Sequence, residues 1–283
     1  MLSTSKVLSF IDNKEGFMVY FFEGQRLIHD LALIHNLKGE GFHFLRDSIL
    51  GSQLLSVFLK SKENFGFYID SEDPYFRFKI ETNFNGYMRT LLLPEEFNNF
   101  PEKINGVYRV SKITEGAPDP YNTVIEVKEK TLNEIFNQFF KQSFQVNGKV
   151  FLSKDSDQSA MIMKLPNTNI DKIDSPTERM SVDEYWEAHS EFIEQLFSKA
   201  HNDQEPIEKE FLKKGLHLIG GKDIQFRCSC SRERMVSGVL GLAHSTSMDD
   251  VFQSDNSIET KCDYCKTYYE ITREEIKETL KKI

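Results

Sequence analysis

Residues 226–234 read FRCSCSRER and residues 262–265 read CDYC, and these two stretches decide the fold of the C-terminal end. Together they contain all four cysteines of the chain, which are Cys228, Cys230, Cys262 and Cys265. Two close pairs of thiols, one at each end of an intervening segment, are the ligand set of a tetrahedral zinc site, and thiolates favour Zn²⁺ over hard cations. The pattern therefore predicts one structural Zn²⁺ per chain.

Other interpretations of these cysteines stay open at this point. The four thiols could be unrelated residues of a protein core, although all of them lie in one segment and none is left over. His244 lies between the two pairs and could be an alternative ligand, although four thiolates already complete a tetrahedral site. The clustering favours the metal site with four sulfur ligands.

The residues around the cysteines indicate a small fold that a metal ion holds together. Their spacing predicts helices over Arg232–Leu242 and Ser247–Phe252, strands over Ile258–Lys261 and Thr267–Ile271, and a last helix that opens at a capping box of Thr272 and Glu275. So small a module cannot bury a stable core by itself. We therefore expect the metal to supply much of its folding free energy.

The first cysteine pair is unusual because a single residue, Ser229, separates its members. The Cα atoms of Cys228 and Cys230 can then lie within disulfide range, although the small ring would be strained. Strained disulfides tend to be the labile, regulatory ones, and a thiolate that an oxidant attacks could be resolved by its neighbour. A redox switch, in which disulfide formation removes metal ligands and unfolds the module, is therefore a hypothesis from the sequence.

Residues 1–175 have the pattern of a mixed α+β domain. The continuous apolar run Phe17–Phe22 predicts a short strand, and apolar residues alternate with charged ones over residues 76–81, as in a strand with one wet face. Further strands are expected near Val107–Ile113, Val124–Lys128 and Ala160–Leu165. Asn85-Gly86 and Asn147-Gly148 are typical of hairpin turns. Helices are predicted around Leu27–Ile34, from about Phe44 to Lys60, and from a capping box of Thr131 and Glu134.

A polar segment over Asn167–Thr177, which contains Ser175-Pro176, is predicted to be a loop at the end of this domain. The helix expected after it has an apolar stripe of Val182, Tyr185, Trp186, Phe192, Ile193, Leu196 and Phe197. The predicted fold class is therefore α+β in three parts: a large N-terminal mixed α/β domain (1–175), a helical linker (176–222) and a small C-terminal zinc-binding module (223–283).

The bulk composition limits the function classes. The chain has 283 residues and a formal net charge of −9, so it lacks the basic footprint of a nucleic-acid-binding protein. Its start has no apolar secretory segment, and no uncharged apolar run approaches the roughly 18 residues that span a bilayer. We expect a cytoplasmic protein without membrane partners, in which the thiols stay reduced or hold a metal.

The cysteine motifs resemble those of one known family. Residues 226–234, then Ile258-Glu259, then residues 262–265 with Tyr268 or Tyr269 close behind, are similar to the redox-regulated chaperones of the heat-shock protein 33 family, also called the 33 kDa chaperonin. The similarity is tight over about residues 226–276. It is looser over residues 51–93 and 121–127.

The resemblance implies a chaperone without enzymatic activity. In that family pattern the reduced, zinc-bound form is inactive, and hypochlorous acid, or peroxide with heat, joins Cys228 to Cys230 and Cys262 to Cys265. Zinc is then released, the linker unfolds, and exposed apolar surface binds unfolding client proteins without ATP. The resemblance further implies a homodimer when oxidised and the transfer of clients to ATP-dependent chaperones. The apolar stripe of the linker helix supplies the candidate client-binding residues.

Two other functions are weighed against the chaperone. A nucleic-acid-binding zinc ribbon would rely on Lys and Arg to neutralise phosphates, whereas residues 222–283 are close to neutral before the charge of a four-thiolate zinc centre is added. A thiol oxidoreductase would place Cys262 at a helix N-terminus after a strand, whereas apolar and aromatic strand residues follow this pair. Both alternatives are less favoured than a redox-regulated chaperone.

Overall fold

The computed structural model describes residues 2–95, 98–144, 146–166 and 180–281. Two compact units divide the chain, Met1–Phe226 and Arg227–Ile283. The described ranges contain eight α-helices and 13 β-strands, which confirms the predicted α+β class. None of these helices is both long and apolar enough to cross a membrane. The predicted loop over Asn167–Thr177 lies outside the described residues, and the three-part domain division stays a prediction.

The first sheet of the larger unit has its most apolar strand at the centre. Every residue of that strand, β2, is buried, because Tyr20 faces the main core and Phe21 faces a second apolar cluster on the opposite side. This second apolar cluster includes the buried rings of Phe10, Phe17, Phe21, Tyr185, Phe192, Phe197 and Phe211. Two covered faces explain why its sequence is continuously apolar rather than alternating. The strands are antiparallel and run in the order β10 (His217–Asp223), β1 (Lys6–Asp12), β2 (Phe17–Glu23), β9 (Gln158–Lys164) and β8 (Gly148–Leu152).

The second sheet confirms the predicted alternation and the first hairpin. Phe76, Phe78 and Ile80 are buried on one face of β4, and Gly86 has a φ of +76°, the left-handed conformation that its turn requires. Only its shortest pair, β11 with β5, is parallel. The order is β11 (Gln225–Phe226), β5 (Tyr87–Leu93), β4 (Tyr75–Asn83), β3 (Glu63–Glu72), β6 (Ile104–Thr114) and β7 (Tyr121–Lys130).

Helices join the two sheets into one main core. Helix α2 contacts β2, β8 and β9 of the first sheet and β4 of the second. Its Phe44 ring stacks on Phe100 with centroids 4.2 Å apart and meets Phe76 edge-on at 5.3 Å. These aromatic contacts account for the high Phe content of this unit. The core helices are α1 (Gln25–His35), α2 (Gly39–Leu54) and α3 (Leu132–Phe139).

Two sequence predictions in this unit need correction. Helix α2 begins at Gly39 rather than near Phe44, because its N-cap is Lys38, which makes no side-chain capping bond that the sequence could signal. The hairpin predicted at Asn147-Gly148 is wrong. One π-helical turn over Phe140–Phe144 follows α3, so Gly148 opens β8 after a helix, and β8 pairs with β9 instead.

The predicted linker helix covers the outer face of the first sheet. Helix α4 (Val182–Lys199) opens with a capping box at Ser181, and α5 (Gln204–Lys213) follows it. The Tyr185 ring stacks on Phe17 and the Phe211 ring stacks on Phe10, each with centroids 4.0 Å apart. The Tyr185 hydroxyl also donates a buried hydrogen bond to Asp12 Oδ2 at 3.0 Å. Both helices therefore close the second apolar cluster.

Strand β10 follows these helices and was not predicted. Its residues are mostly exposed and include Gly220-Gly221, so they show no apolar alternation and have low strand propensity. The strand forms because it pairs with the edge of β1, and the register shifts between Ser9 and Phe10. A strand that depends on its partner in this way has no local sequence signal.

Among the described residues of the smaller unit, the apolar core cluster contains five buried residues, Val236, Val239, Phe252, Ile271 and Ile276. Its elements agree with the sequence prediction to within a few residues. They are α6 (Arg232–Ser245), α7 (Met248–Phe252), β12 (Ser257–Lys261), β13 (Tyr268–Thr272) and α8 (Arg273–Leu280), and β12 pairs antiparallel with β13. A core of this size supports the expectation that the unit needs a further source of stability.

Glu23 at the end of β2 is a buried carboxyl group with 4% of its surface exposed. Burial raises its pKa from 4.5 to about 7, and the nearby carboxyls of Asp157 and Asp203 also raise the pKa. A hydrogen bond from the N–H of Gln25, at 2.9 Å, lowers the pKa and so partly offsets the shift. Between these two pH values the folded protein holds a proton that the unfolded chain has released. The free energy of unfolding therefore falls as the pH rises through that window.

Glu23→Gln should remove this pH dependence, because the amide oxygen can still accept from Gln25 and carries no charge. We expect the variant to match the natural protein near pH 4 and to be more stable by about 2–3 kcal/mol at about pH 8. Urea unfolding followed by Trp186 fluorescence at both pH values measures the difference. Glu115→Gln, at a carboxyl that is 69% exposed, is the control without an effect. Parallel pH profiles for the natural protein and Glu23→Gln would contradict the prediction.

Candidate metal centre

The four cysteines meet at one point of the smaller unit. Their Sγ atoms all lie within 4.8 Å of one another. The Sγ atoms of Cys228 and Cys262 are 3.7 Å apart, and those of Cys230 and Cys265 are 3.3 Å apart. Four thiolates bound to one Zn²⁺ at the usual bond length would have sulfur–sulfur distances of about 3.8 Å. The sulfur atoms therefore fit a single tetrahedral ion.

Local backbone structure brings each pair into place. The first pair precedes Ser231, whose hydroxyl caps the N-terminus of α6. The second pair occupies the turn between β12 and β13, where the N–H of Cys262 donates to Thr267 O at 2.9 Å and the N–H of Lys266 donates to Cys262 O at 2.8 Å. Lys266 adopts a left-handed φ of +61° in this turn. The β12–β13 ladder thus presents Cys262 and Cys265 on one side.

Arg232 links the two halves of the site. Its guanidinium forms two hydrogen bonds to the carboxylate of Glu275, at 2.9 and 2.8 Å, and a third to Glu270 O at 2.7 Å. These bonds connect the start of α6, two residues after Cys230, to β13 and α8. The guanidinium binds the carboxylate through two parallel hydrogen bonds, so this contact fixes the orientation of α6 relative to α8 as well as the distance between them.

The sulfur atoms have different environments. Burial raises the pKa of the Cys228 thiol to about 12, although the N–H of Cys230 opposes the shift. Burial also raises the pKa of Cys230. For Cys265, burial is outweighed by hydrogen bonds with the hydroxyl of Thr267, at 3.2 Å, and its N–H, which lower the pKa to about 7. Cys265 is therefore readily deprotonated near neutral pH, as a thiolate ligand must be.

The other residues singled out from the sequence are not members of this cluster. His244 is exposed in the last turn of α6, and the cluster is formed by the sulfur atoms alone among the described residues. The candidate client-binding residues lie in the larger unit. The second apolar cluster contains Trp186, which is partly buried, and six buried residues, Val182, Tyr185, Phe192, Ile193, Leu196 and Phe197.

Sequence reasoning missed the polar groups that contact the sulfur atoms and fix the site. The hydroxyl of Tyr269 lies 3.1 Å from Sγ of Cys230, and Thr267 contacts Cys265. In the sequence, Tyr269 stands out only as an aromatic residue of the motif that follows the second pair. A tyrosine four residues after a cysteine has no general meaning, so the contact could not be derived without the fold.

Known proteins resemble this chain over most of its length. A 33 kDa chaperonin of Photorhabdus laumondii is 21% identical over 271 residues, covering 89% of this chain and 90% of the relative. A 33 kDa chaperonin of Agathobacter rectalis is 27% identical over 171 residues, covering 58% of this chain and 57% of that relative.

The fold is also similar to a solved structure. The crystal structure of a 33 kDa chaperonin from Thermotoga maritima, a heat shock protein 33 homolog, matches with a TM-score of 0.73. The match covers 99% of this chain and 98% of that one at 19% identity, so it supports the fold. A family model described as Hsp33 protein matches residues 5–272. With nearly all of its length matched in this way, the chain belongs to the Hsp33 protein family.

Proposed function

We propose that this protein is a redox-regulated, ATP-independent holdase chaperone of the cytoplasm whose reduced, zinc-bound form is inactive. The observation that carries the proposal is the geometry of the cysteines. Four sulfur atoms within 4.8 Å of one another can share one ion, and the same atoms are close enough to pair with each other. Membership of the Hsp33 family, whose relatives are named chaperonins, supports the client-binding part of the proposal.

Cys228, Cys230, Cys262 and Cys265 would hold the Zn²⁺. A bound zinc ion would keep the four sulfurs deprotonated and tie α6 to the β12–β13 hairpin. The unit would depend on the zinc ion for its stability, because its apolar core cluster contains only five buried side chains among the described residues. Loss of two ligands should therefore unfold the unit rather than only loosen one turn.

Oxidation proceeds by two balanced steps at the sulfur atoms. A thiolate attacks hydrogen peroxide, so that an S–O bond forms, the O–O bond breaks, and hydroxide leaves. The neighbouring thiolate then attacks this sulfenic acid, so that an S–S bond forms and a second hydroxide leaves. As the family resemblance implies, we propose that the disulfides join Cys228 to Cys230 and Cys262 to Cys265. Each disulfide removes two of the four metal ligands.

Helices α4 and α5 would be the regulated element. The chain runs from α5 through β10 and β11 into the cysteine unit, and unfolding of that unit would have to spread through these two strands to reach the helices. Release of the helices would expose aromatic residues on both sides of the second apolar cluster, among them Tyr185, Phe17 and Phe211. Such a surface would bind apolar segments of unfolding proteins without ATP. We further propose a homodimer in the oxidised state and later transfer of clients to ATP-dependent chaperones.

An aggregation assay in matched redox states tests the proposal. The reduced protein should contain one equivalent of zinc and leave a thermally unfolding client unprotected. Peroxide with mild heat should release the zinc and switch on protection in the absence of ATP. Equal protection by the two forms would exclude a redox-regulated chaperone. Catalytic reduction of insulin disulfides would indicate a thiol oxidoreductase instead.

A further inference from the structure

Tyr269 places a hydroxyl group against one of the four sulfur atoms. Its Oη lies 3.1 Å from Sγ of Cys230, which is hydrogen-bonding distance for sulfur. When Cys230 is a thiolate the phenol must be the donor, because the sulfur then has no proton to give. The neighbouring ring, Tyr268, is 60% exposed and lies alongside Lys261 instead. Only one of the two adjacent tyrosines therefore acts on the cysteine cluster.

Several independent contacts fix the position of the Tyr269 ring. Its backbone pairs with Thr260 in the β12–β13 ladder, and the Thr260 hydroxyl donates to Tyr269 O at 3.3 Å. The ring packs against the apolar core of the smaller unit. Arg232 holds the next residue, Glu270, through its carbonyl oxygen. The Tyr269 hydroxyl therefore lies next to Cys230 because backbone pairing and ring packing hold the side chain in one position.

We propose that the Tyr269 hydroxyl sets the oxidant threshold of the cysteine switch by holding back the reaction of Cys230. The inference rests on the proposed function and adds a residue that acts through Cys230 to it. A hydrogen bond to a thiolate withdraws charge from the sulfur and occupies one direction from which peroxide can approach. Both effects slow the step in which the Cys230 sulfur forms its S–O bond while the peroxide O–O bond breaks and hydroxide leaves.

The size of the effect follows from the dependence of thiolate reactivity on basicity. Nucleophilicity rises with thiol basicity with a Brønsted coefficient of about 0.4–0.5, so loss of one strong donor corresponds to about three- to tenfold faster attack. Thr267 acts comparably on Cys265, so removal of the Tyr269 hydroxyl should affect mainly the first cysteine pair.

Tyr269→Phe and Tyr268→Phe form a matched pair of variants. Each keeps the aromatic ring and removes a single hydroxyl, and only the first removes a contact with sulfur. Zinc release after a fixed dose of peroxide, followed with a chromogenic chelator, should be about three- to tenfold faster for Tyr269→Phe and unchanged for Tyr268→Phe. In the Co²⁺-substituted protein without oxidant, the sulfur-to-cobalt charge-transfer band should move to lower energy for Tyr269→Phe alone, because the unbonded thiolate is richer in electrons.

The outcomes separate this inference from the proposed function. If Tyr269→Phe releases zinc at the natural rate and its cobalt spectrum is unchanged, the hydroxyl has no role and the inference is wrong. That result leaves the switch itself intact, provided that the natural protein still loses zinc and forms disulfides. If the natural protein instead binds no metal after reduction, the proposed function fails first. A faster release in both tyrosine variants would also overturn the inference, because it would indicate general loosening of β13.

Discussion

Cys262→Ser is expected to lose its metal and to unfold residues 227–283 while the larger unit stays folded. Cys262 is the most buried of the four cysteines, with 4% of its surface exposed. Structural zinc contributes about 10–16 kcal/mol to the folding of small modules, so loss of one of four ligands should lower the affinity by at least about a hundredfold. The five-residue core cannot replace that free energy.

Metal analysis, and proteolysis with the fragments identified by mass, measure this result. The variant should contain well under half an equivalent of zinc, and cleavage should begin within residues 227–283. Ser229→Ala is the matched control, because Ser229 supplies no sulfur atom and its hydroxyl accepts a hydrogen bond from Arg234. It should keep its zinc and its resistance. A zinc-free Cys262→Ser protein with a protease-resistant C-terminal unit would show that the metal does not hold this unit together.

The clustering of the four cysteines could be predicted from the sequence, because two close pairs of thiols at the ends of a small module are typical of a shared metal site. Local signals also located the elements around it. Thr272 caps α8 as predicted, since its hydroxyl accepts from the N–H of Glu275, and in the larger unit the predicted capping box of Thr131 and Glu134 is complete. These features depend on residues within one turn of each other, which is the range over which a sequence pattern is informative.

The features that escaped prediction depend on residues far apart in the chain. Strand β10 exists because β1, some two hundred residues earlier, offers it an edge. The hydroxyl of Tyr269 reaches Cys230 because β13 and the first cysteine pair meet only in the folded unit. Phe211 is not among the predicted linker residues, because α5 is rich in charged residues and buries only Ile207 and Phe211. Two buried positions are too few to show a helical apolar period. In each case contacts with distant parts of the chain determine the structure, and the neighbouring residues in the sequence give little indication of those contacts.

Phe211→Ala is expected to activate the protein without oxidation. Phe211 is completely buried, stacks on Phe10 at 4.0 Å and meets Phe21 and Phe192 edge-on at 5.7 and 5.2 Å. Truncation of so buried an aromatic ring costs about 3–5 kcal/mol, which is large against the stability of two helices on one sheet face. The reduced, zinc-loaded variant should therefore protect an unfolding client, and the amides of residues 204–213 should exchange faster with solvent.

Leu212→Ala provides the control on the same helix. Leu212 is 54% exposed, so the same kind of truncation leaves the contact with the sheet untouched, and the variant should stay inactive until it is oxidised. The cysteines are intact in Phe211→Ala, so the variant should keep its zinc. Activation of a zinc-loaded variant would show that release of the helices, and not loss of the metal, creates the active form. If the helices of Phe211→Ala exchange rapidly and the protein still fails to protect a client, release of α4 and α5 does not by itself create the binding surface. The client-binding residues would then have to be sought on the larger unit outside the second apolar cluster.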